Sequence, residues 1–217
     1  MQKGFWLGLV GIFAALIGLF FIMGGQPDGS GQTTKYSYSD PMAIQKQDHR
    51  RGQGKVVIIE YGDFQCPGCG SLYPLLRQVE NERPKDISII FRNFPLTSLH
   101  VNAMAAHRAA EAAHKQGKFF GMHDLLYENQ DLWNTSPNAA AIFEDFAQQL
   151  GLKLDQFKTD VASSDTFDRI SADIDSGKEL GITGTPTLYL NGERLEDIPP
   201  SVDEFVKLID DAKAKLE

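Results

Sequence analysis

The distribution of apolar and polar residues divides the chain into three parts. Residues 4–25 carry no charged side chain, residues 26–54 are mostly polar, and the remainder mixes short apolar runs with amphipathic stretches. We therefore predict a cytoplasmic N-terminus with a membrane anchor at 1–25, a linker and N-terminal arm at 26–54, and a folded domain at 55–217.

The uncharged run at 4–25 is long enough to cross a membrane. As a helix it would measure about 33 Å, against a hydrocarbon core of about 30 Å. A cleaved signal peptide is the alternative, but its apolar part is ordinarily about 7–15 residues long and ends in small side chains, whereas Met23 is bulky. Because Lys3 precedes the run and Asp28 follows it, the positive-inside rule predicts a single-pass protein with an extracytoplasmic domain.

The polar stretch after the apolar run has no strong periodicity. Residues 26–32 are rich in glycine, serine, proline and aspartate, which is typical of a flexible tether. Residues 33–54 contain few apolar anchors, and we expect an irregular arm with a short helix near 42–47.

The first part of the predicted domain has the pattern of a βαβ unit. Residues 55–61 are β-branched on both faces, which is typical of a strand buried on two sides. A helix is predicted from Cys66 to about Glu82, with Pro67 in the first turn, where its missing N–H is no loss. A second strand at 86–92 completes the unit and predicts a parallel pair of strands.

Beyond the βαβ unit the pattern becomes helical, and strands return only near the end. A strand at 187–190 is followed by Asn191 and Gly192, a strong signal for a two-residue hairpin turn. Ser201 is a good N-cap for a final helix. The sequence thus predicts an α/β fold whose two ends form one sheet around an all-helical insertion at about 97–181. Helices within that insertion fit residues 100–114, 119–130, 138–150 and 165–180.

Charge and cysteine content narrow the function. The net charge is −8, and no basic patch with interleaved aromatic residues is present, so nucleic acid is not an expected partner. The chain has two cysteines, Cys66 and Cys69, in one Cys-Pro-Gly-Cys motif at residues 66–69, and none remains for a structural disulfide. In an oxidising compartment such a pair points to thiol–disulfide chemistry.

The predicted elements assign a different role to each thiol. Cys66 lies at a helix N-terminus, where free N–H groups and the helix dipole favour the thiolate, so it is the candidate nucleophile. Cys69 lies one turn later and is the candidate resolving thiol. Glu60 shares its strand face with Val56 and Ile58, so we expect a buried carboxyl that exchanges a proton with Cys69. The alternative for Glu60 is a carboxylate paired with a lysine or arginine.

A zinc site is the main alternative for the motif. Zinc requires four ligands, and the sequence contains neither a second cysteine pair nor a closely spaced histidine pair. On a helix, neighbouring members of the series His100, His107 and His114 would be about 10 Å apart, too far to act as adjacent ligands. We expect these histidines to pack or to line a helix face, with tuning of the thiols as the alternative. No metal and no cofactor is predicted.

Several motifs together resemble the thioredoxin fold. These are the Cys-Pro-Gly-Cys motif after a buried strand, Pro74 in the following helix, and Thr185-Pro186 before a late strand. The run at 62–69 and the stretch FFGMHDLLYENQ at 119–130 resemble the DsbA-like branch of thiol:disulfide oxidoreductases, which carries a helical insertion. The resemblance covers about 55–215 and implies a thioredoxin fold with an all-helical insertion, preceded by one transmembrane helix.

The resemblance also implies how substrate is bound. It implies that Pro186 is cis and lies against the motif, and that Thr185 offers its backbone to an extended substrate strand. Pro67, Gly68, Thr185 and Pro186 are accordingly the candidate substrate-binding residues. The best-known members have a histidine between the cysteines, and because Pro67-Gly68 carries no charge the direction of electron flow stays open.

The expected activity follows from the resemblance. It implies a protein thiol:disulfide oxidoreductase in a bacterial-type envelope that donates its disulfide to unfolded, cysteine-containing secreted or surface proteins. A membrane redox partner would recycle the disulfide. A reductase or isomerase of the same fold remains open, and so do a copper(I) thiol chaperone and a tethered binding module.

Overall fold

The most apolar runs of the sequence form the centre of a sheet. In the computed structural model, which describes residues 35–216, the central strands β2 (Val56–Gly62) and β3 (Ile87–Asn93) are parallel. Strand β4 (Thr187–Leu190) pairs antiparallel with β2, and β5 (Glu193–Arg194) follows β4 in a hairpin. The predicted parallel pair and the predicted hairpin are both confirmed.

One further strand lies where an irregular arm was predicted, and that prediction is wrong. Strand β1 (His49–Gly52) pairs antiparallel with the outer edge of β3, which gives the sheet order β1-β3-β2-β4-β5. Its His-Arg-Arg-Gly sequence has no apolar period, so the strand depends on the edge that β3 offers. The helix predicted near 42–47 is also wrong, because these residues form turns, a bend and irregular backbone. The sheet therefore begins before residue 55.

Two helices cover one face of the sheet. Helix α1 (Pro67–Glu82) follows β2, and helix α8 (Val202–Ala214) ends the described chain. The Ser201 hydroxyl accepts a hydrogen bond from the Glu204 N–H at 3.3 Å, so the predicted N-cap is confirmed. Burial of the apolar residues of both helices against the sheet anchors the start of α1, which carries the motif. The buried side chains include Val56, Ile58, Leu72, Leu76, Ile87, Leu188, Phe205 and Ile209.

The predicted helical insertion is confirmed, since the described chain contains only helices and connecting segments between β3 and β4. One helix, Leu154–Ala162, was not predicted, because it buries only Phe157 and Asp160 and so has a weak apolar stripe. Gly151, at φ +70°, follows the C-cap residue of the preceding helix. The helices are α2 (Ala103–His114), α3 (Phe119–Glu128), α4 (Gln130–Trp133), α5 (Ala139–Gln149), α6 (Leu154–Ala162) and α7 (Ser164–Glu179).

Buried charges tie the N-terminal arm to the sheet. Arg92 of β3 is fully buried and donates to both carboxylate oxygens of Asp48, at 3.0 and 2.9 Å. The Tyr38 hydroxyl donates to Asp48 and to Asp173 of α7. A buried ion pair of this kind contributes little net stability, but removal of one partner leaves an unpaired charge and costs about 3–5 kcal/mol. The arm from Tyr38 onward is thus part of the folded domain.

Among residues 35–216, no helix is long and apolar enough to cross a membrane. The anchor predicted at 4–25 lies outside the described residues.

Candidate active site

The Cys-Pro-Gly-Cys motif lies at the start of α1, at the carboxyl end of β2. Cys66 is the N-cap residue with extended backbone, and Pro67 occupies the first helical turn, as predicted. Cys66 is 8% exposed and Cys69 is fully buried. Both cysteines belong to the apolar cluster that the helical insertion shares with Phe64 and Phe91, so the motif lies where the sheet meets the insertion.

The two thiols have opposite electrostatic surroundings. The Cys69 thiol and the backbone N–H groups of Cys69 and Gly68 lower the pKa of Cys66 to about 5, although burial opposes this shift. For Cys69, burial first, then its contact with Cys66 and the charge of Glu60, raise the pKa well above the ordinary value of a thiol. Near neutral pH, Cys66 is therefore a thiolate and Cys69 keeps its proton.

Glu60 is buried behind the motif. It lies in β2 opposite Phe91 of β3 and is 4% exposed. Burial, with the negative charge of Cys66, raises its pKa to about 8. No ion pair joins Glu60 to any lysine or arginine among residues 35–216, so the structure favours the buried, protonated carboxyl over the paired carboxylate. Glu60 also borders a cavity of about 10 Å³, the space of one water, together with Arg51, Glu80 and His123.

The late proline forms a wall beside the nucleophile. The Thr185–Pro186 peptide bond is cis, as the resemblance implies. Cys66 Sγ lies 3.3 Å from the Thr185 carbonyl oxygen, which accepts a hydrogen bond from the thiol when Cys66 is protonated. A Cβ atom at Gly68 would lie 3.2 Å from Pro186 Cδ, so glycine lets the motif approach the proline closely. The four residues predicted to bind substrate are thus brought to one place next to Cys66.

Asp63 fixes the turn before the nucleophile, and its role was not predicted. Its buried carboxylate accepts from the Gln65 N–H and the Leu96 N–H, each at 2.8 Å, and contacts His100 Nδ1 at 2.7 Å. Burial would raise the pKa of Asp63, but the proximity of His107, whose Nε2 lies 3.9 Å from Asp63 Oδ1, and hydrogen bonds with His100 and the Leu96 N–H lower it to about 2. The signal in the sequence that could have indicated this role is the position of Asp63, a polar residue between the end of β2 and the N-cap of α1.

Two of the three spaced histidines thus face Asp63 rather than a metal. His107 is fully buried, and its Nδ1 lies 2.6 Å from Asn93 Oδ1. His114 instead packs its ring edge-on against His49, with the ring centroids 4.6 Å apart. In the part of the chain that the structure describes, no group of three or more histidine, cysteine, aspartate or glutamate side chains forms a metal site.

The helical insertion holds the motif from the side. Gln130 Nε2 donates to the carbonyl oxygens of Phe64 at 2.7 Å and Cys66 at 3.0 Å. Gln65 bridges two insertion loops, since it donates to the Asn134 carbonyl at 2.6 Å and accepts from the Asn102 N–H at 2.7 Å. Sequence reasoning missed these contacts because they join residues more than 30 positions apart. The insertion therefore fixes the backbone around the nucleophile.

Comparison with known proteins agrees with this geometry. A family model described as Thioredoxin matches residues 46–211, which is 166 of the 217 residues. The chain belongs to the thioredoxin family. The match begins before the predicted boundary at 55, as does the sheet.

Two relatives of this thioredoxin-family chain differ greatly in length. A "Probable disulfide bond formation protein D" from Bacillus cereus is 29% identical over 218 residues. The match covers 94% of this chain and 94% of that protein. A "Na(+)/H(+) antiporter NhaA 1" from Salinispora arenicola is 38% identical over 150 residues, which is 68% of this chain. The chain spans only 22% of that antiporter's length.

A solved structure shares this fold. The crystal structure of Wolbachia pipientis alpha-DsbA1 superposes with a TM-score of 0.69 at 21% identity, and the match covers 80% of this chain and 96% of the other. The thioredoxin fold with a helical insertion, which the resemblance to the DsbA-like branch implied, is thereby confirmed.

Proposed function

We propose that the protein is an extracytoplasmic thiol:disulfide oxidoreductase that donates its Cys66–Cys69 disulfide to unfolded, cysteine-containing secreted or surface proteins. A substrate thiolate attacks Cys66 Sγ, the Cys66–Cys69 bond breaks, and Cys69 leaves with the electron pair and takes a proton from Glu60. A second substrate thiolate then attacks the mixed disulfide and releases Cys66 as a thiolate.

The observation that carries the proposal is the contrast between the two thiols at the start of α1. The pKa of about 5 at Cys66 makes it a good leaving group when the substrate disulfide forms. The raised pKa of Cys69 keeps that thiol protonated and out of competition for substrate. The cis Thr185–Pro186 bond beside Cys66 supports substrate binding at this face, in the manner of an added strand.

The direction of exchange follows from the stability of the Cys66 thiolate. A stable thiolate favours the reduced enzyme and so makes its disulfide more oxidising. The pKa of Cys66, about 5, lies between about 7 for thioredoxin and about 3.5 for DsbA. The Cys69 thiol first, and then backbone N–H groups, lower the pKa of Cys66 although Pro67 and Gly68 carry no charge. We therefore favour the oxidase over a reductase or isomerase.

We also propose that residues 4–25 anchor the domain to the outer face of the cell membrane, with a tether at 26–32. An anchor at this position keeps the motif near a membrane redox partner that recycles the disulfide. The test uses intact cells treated with a membrane-impermeant reductant and then a membrane-impermeant thiol reagent. Labelling of Cys66 before lysis is expected, and labelling only after lysis would contradict the location.

The decisive experiment on the chemistry is the equilibrium of the Cys66–Cys69 disulfide with glutathione. A reduction potential near about −120 mV is expected for an oxidase, and one near about −270 mV would favour a reductase. The Cys69→Ala variant is the control, because it cannot close the disulfide. If the unmodified protein forms no Cys66–Cys69 disulfide under any glutathione ratio, the proposed function is wrong.

A further inference from the structure

One polar group beside the thiol pair has no function in the exchange described above. Among the residues that the structure describes, three buried side-chain polar atoms lack a hydrogen-bond partner, and the Tyr127 hydroxyl is one of them. A buried hydroxyl without a partner costs on the order of 1–3 kcal/mol, so its retention calls for an explanation. A phenylalanine would fill the same space without this cost.

Tyr127 belongs to the same buried cluster as Cys69 and Phe91, and ring contacts link it to the neighbours of Cys69 and Glu60. Its ring stacks on Tyr73, with the centroids 5.4 Å apart, and Tyr73 lies one helical turn after Cys69 on the same face of α1. On its other side the ring lies 6.4 Å from Phe91, the cross-strand neighbour of Glu60. A Cβ atom at Gly62 would touch both the Phe91 ring and Glu60 Oε1, so the carboxyl lies beside that ring.

The electrostatic surroundings agree with this placement. Burial raises the pKa of Tyr127 well above its ordinary value, and negative charge on Cys69 and Glu60 raises it further. The hydroxyl therefore keeps its proton and can act only as a donor towards an anion at this position. The titratable groups that face Tyr127 are Cys69, Cys66, Glu60, Asp63, Tyr73 and His123.

We propose that the Tyr127 hydroxyl is a positioning residue that donates a hydrogen bond to the anion shared by Cys69 and Glu60 when Cys69 loses its proton. The inference rests on the proposed function. When a mixed disulfide is resolved, the Cys69 proton passes to the Glu60 carboxylate and Cys69 Sγ attacks Cys66 Sγ. The Cys66–Cys69 bond forms, the bond to the substrate sulfur breaks, and the substrate leaves as a thiolate.

The same anion occurs in both directions of exchange. When the enzyme oxidises a substrate, Cys69 is the leaving thiolate, and when a mixed disulfide is resolved, Cys69 is the attacking thiolate. A hydrogen-bond donor to this anion therefore accelerates the Cys69 step whichever way electrons flow. Cys66 reacts at the opposite side of the motif, beside Thr185, so Tyr127 should have no effect on the attack by Cys66.

The test is the reaction of the reduced full-length protein with one equivalent of dithiobis(nitrobenzoate), followed by stopped-flow absorbance. In the first phase Cys66 attacks the reagent and releases one coloured thionitrobenzoate. In the second phase, which does not depend on reagent concentration, Cys69 resolves the mixed disulfide and releases the other. Tyr127→Phe should slow the second phase about tenfold at pH 7 and leave the first unchanged.

The pH profile separates a donor from a structural residue. In Tyr127→Phe the midpoint of the second-phase rate should move up by about one pH unit, and the rates should converge above it. Tyr73→Phe is the matched control, because it removes a hydroxyl of the same cluster that donates to Glu128 at 2.8 Å. This control should leave the second phase unchanged. Thermal unfolding of Tyr127→Phe should show no loss of stability, since the hydroxyl has no partner to lose.

The outcomes distinguish this inference from the proposed function. A second phase in the unmodified protein that Tyr127→Phe does not slow would overturn the inference and leave the oxidoreductase intact. Three other results would assign Tyr127 to packing and would also overturn the inference. They are equal slowing of the second phase by Tyr73→Phe, slowing by Tyr127→Phe that is the same at every pH, and a lower unfolding temperature for Tyr127→Phe. Absence of a second phase in the unmodified protein would overturn the proposed function itself.

Discussion

The two sides of the Cys-Pro-Gly-Cys motif differ far more than three residues of spacing would imply. On the outer side, Cys66 is next to Pro186, exposed Pro67 and Gly68, and free N–H groups of α1. On the inner side, fully buried Cys69 is enclosed by aromatic rings and the carboxyl of Glu60.

The contrast shows that helix geometry alone does not determine the reactivity of a thiol. Cys66 is the N-cap of α1 and Cys69 lies in its first turn, where the dipole favours a negative charge. At Cys69, burial outweighs the effect of the dipole and raises the pKa of the thiol. At Cys66, the Cys69 thiol and backbone N–H groups outweigh burial, and the pKa is lowered. One side of the motif is thus suited to meet substrate and the other to move a proton.

The largest expected effect is the loss of either thiol. Cys66→Ala should abolish disulfide exchange, because the only activated thiolate is removed. Cys69→Ala should still react with substrate but should accumulate the mixed disulfide at Cys66, since nothing resolves it. Non-reducing mass spectrometry distinguishes the two. Equal trapping by both variants would contradict the different roles of the two thiols.

A smaller but substantial effect is expected from Glu60→Gln in the reduced protein. The pKa of Glu60 is about 8 in the folded state, against 4.5 for the free side chain, so between these values only the unfolded chain loses the proton. Stability therefore falls as the pH rises through this window. Glutamine does not titrate, so it avoids the cost of holding a proton on the folded chain. The variant should be more stable by on the order of 3 kcal/mol at pH 7 and unchanged at pH 4.

Denaturant unfolding at the two pH values measures this gain. Glu179→Gln, at the exposed end of α7, is the control and should change stability little at either pH. A Glu60→Gln variant that is less stable at pH 7 would mean that the carboxylate is charged and paired, which was the alternative from the sequence. The same variant should also slow the Cys69 step, because the proton acceptor is lost.

The smallest of the three effects is expected at the turn before Cys66. The pKa of Asp63 is about 2, below the ordinary 3.8, so its hydrogen bonds stabilise the folded state above pH 3.8 and this contribution is lost as the pH falls through 2. Asp63→Asn should cost on the order of 2 kcal/mol at pH 7 and little at pH 2.

Urea unfolding of Asp63→Asn and of the exposed-surface variant Asp175→Asn provides the comparison. The control should lose less than about 0.5 kcal/mol. An equal loss in both variants would show that Asp63 contributes nothing particular to the turn.

The parts of the fold with strong local signals could be predicted from the sequence. The apolar run of β2, the N-cap at Ser201 and the turn at Asn191 and Gly192 each encode their structure within a few residues. Strand β1 could not be predicted, because its polar sequence forms a strand only against the edge of β3. Local pattern contains no information about such an edge.

The residues of the candidate site also fall into those that local sequence pattern predicts and those that it does not. Cys66, Cys69 and Glu60 could be found because helix position and strand parity determine where they point. The supporting residues could not be found, because their contacts join distant parts of the chain. Gln130 donates to the carbonyl of Phe64, and the Tyr127 ring packs against Tyr73 and Phe91. Such contacts become visible only when the insertion is packed against the sheet.

The most direct test of the contrast between the thiols is the pH dependence of alkylation of the reduced protein by iodoacetamide, with the labelled cysteine identified by mass spectrometry. The surroundings of Cys66 predict that it alone is labelled in the folded protein, with a rate midpoint near pH 5. A midpoint near about 8.5, or equal labelling of Cys66 and Cys69, would contradict the account.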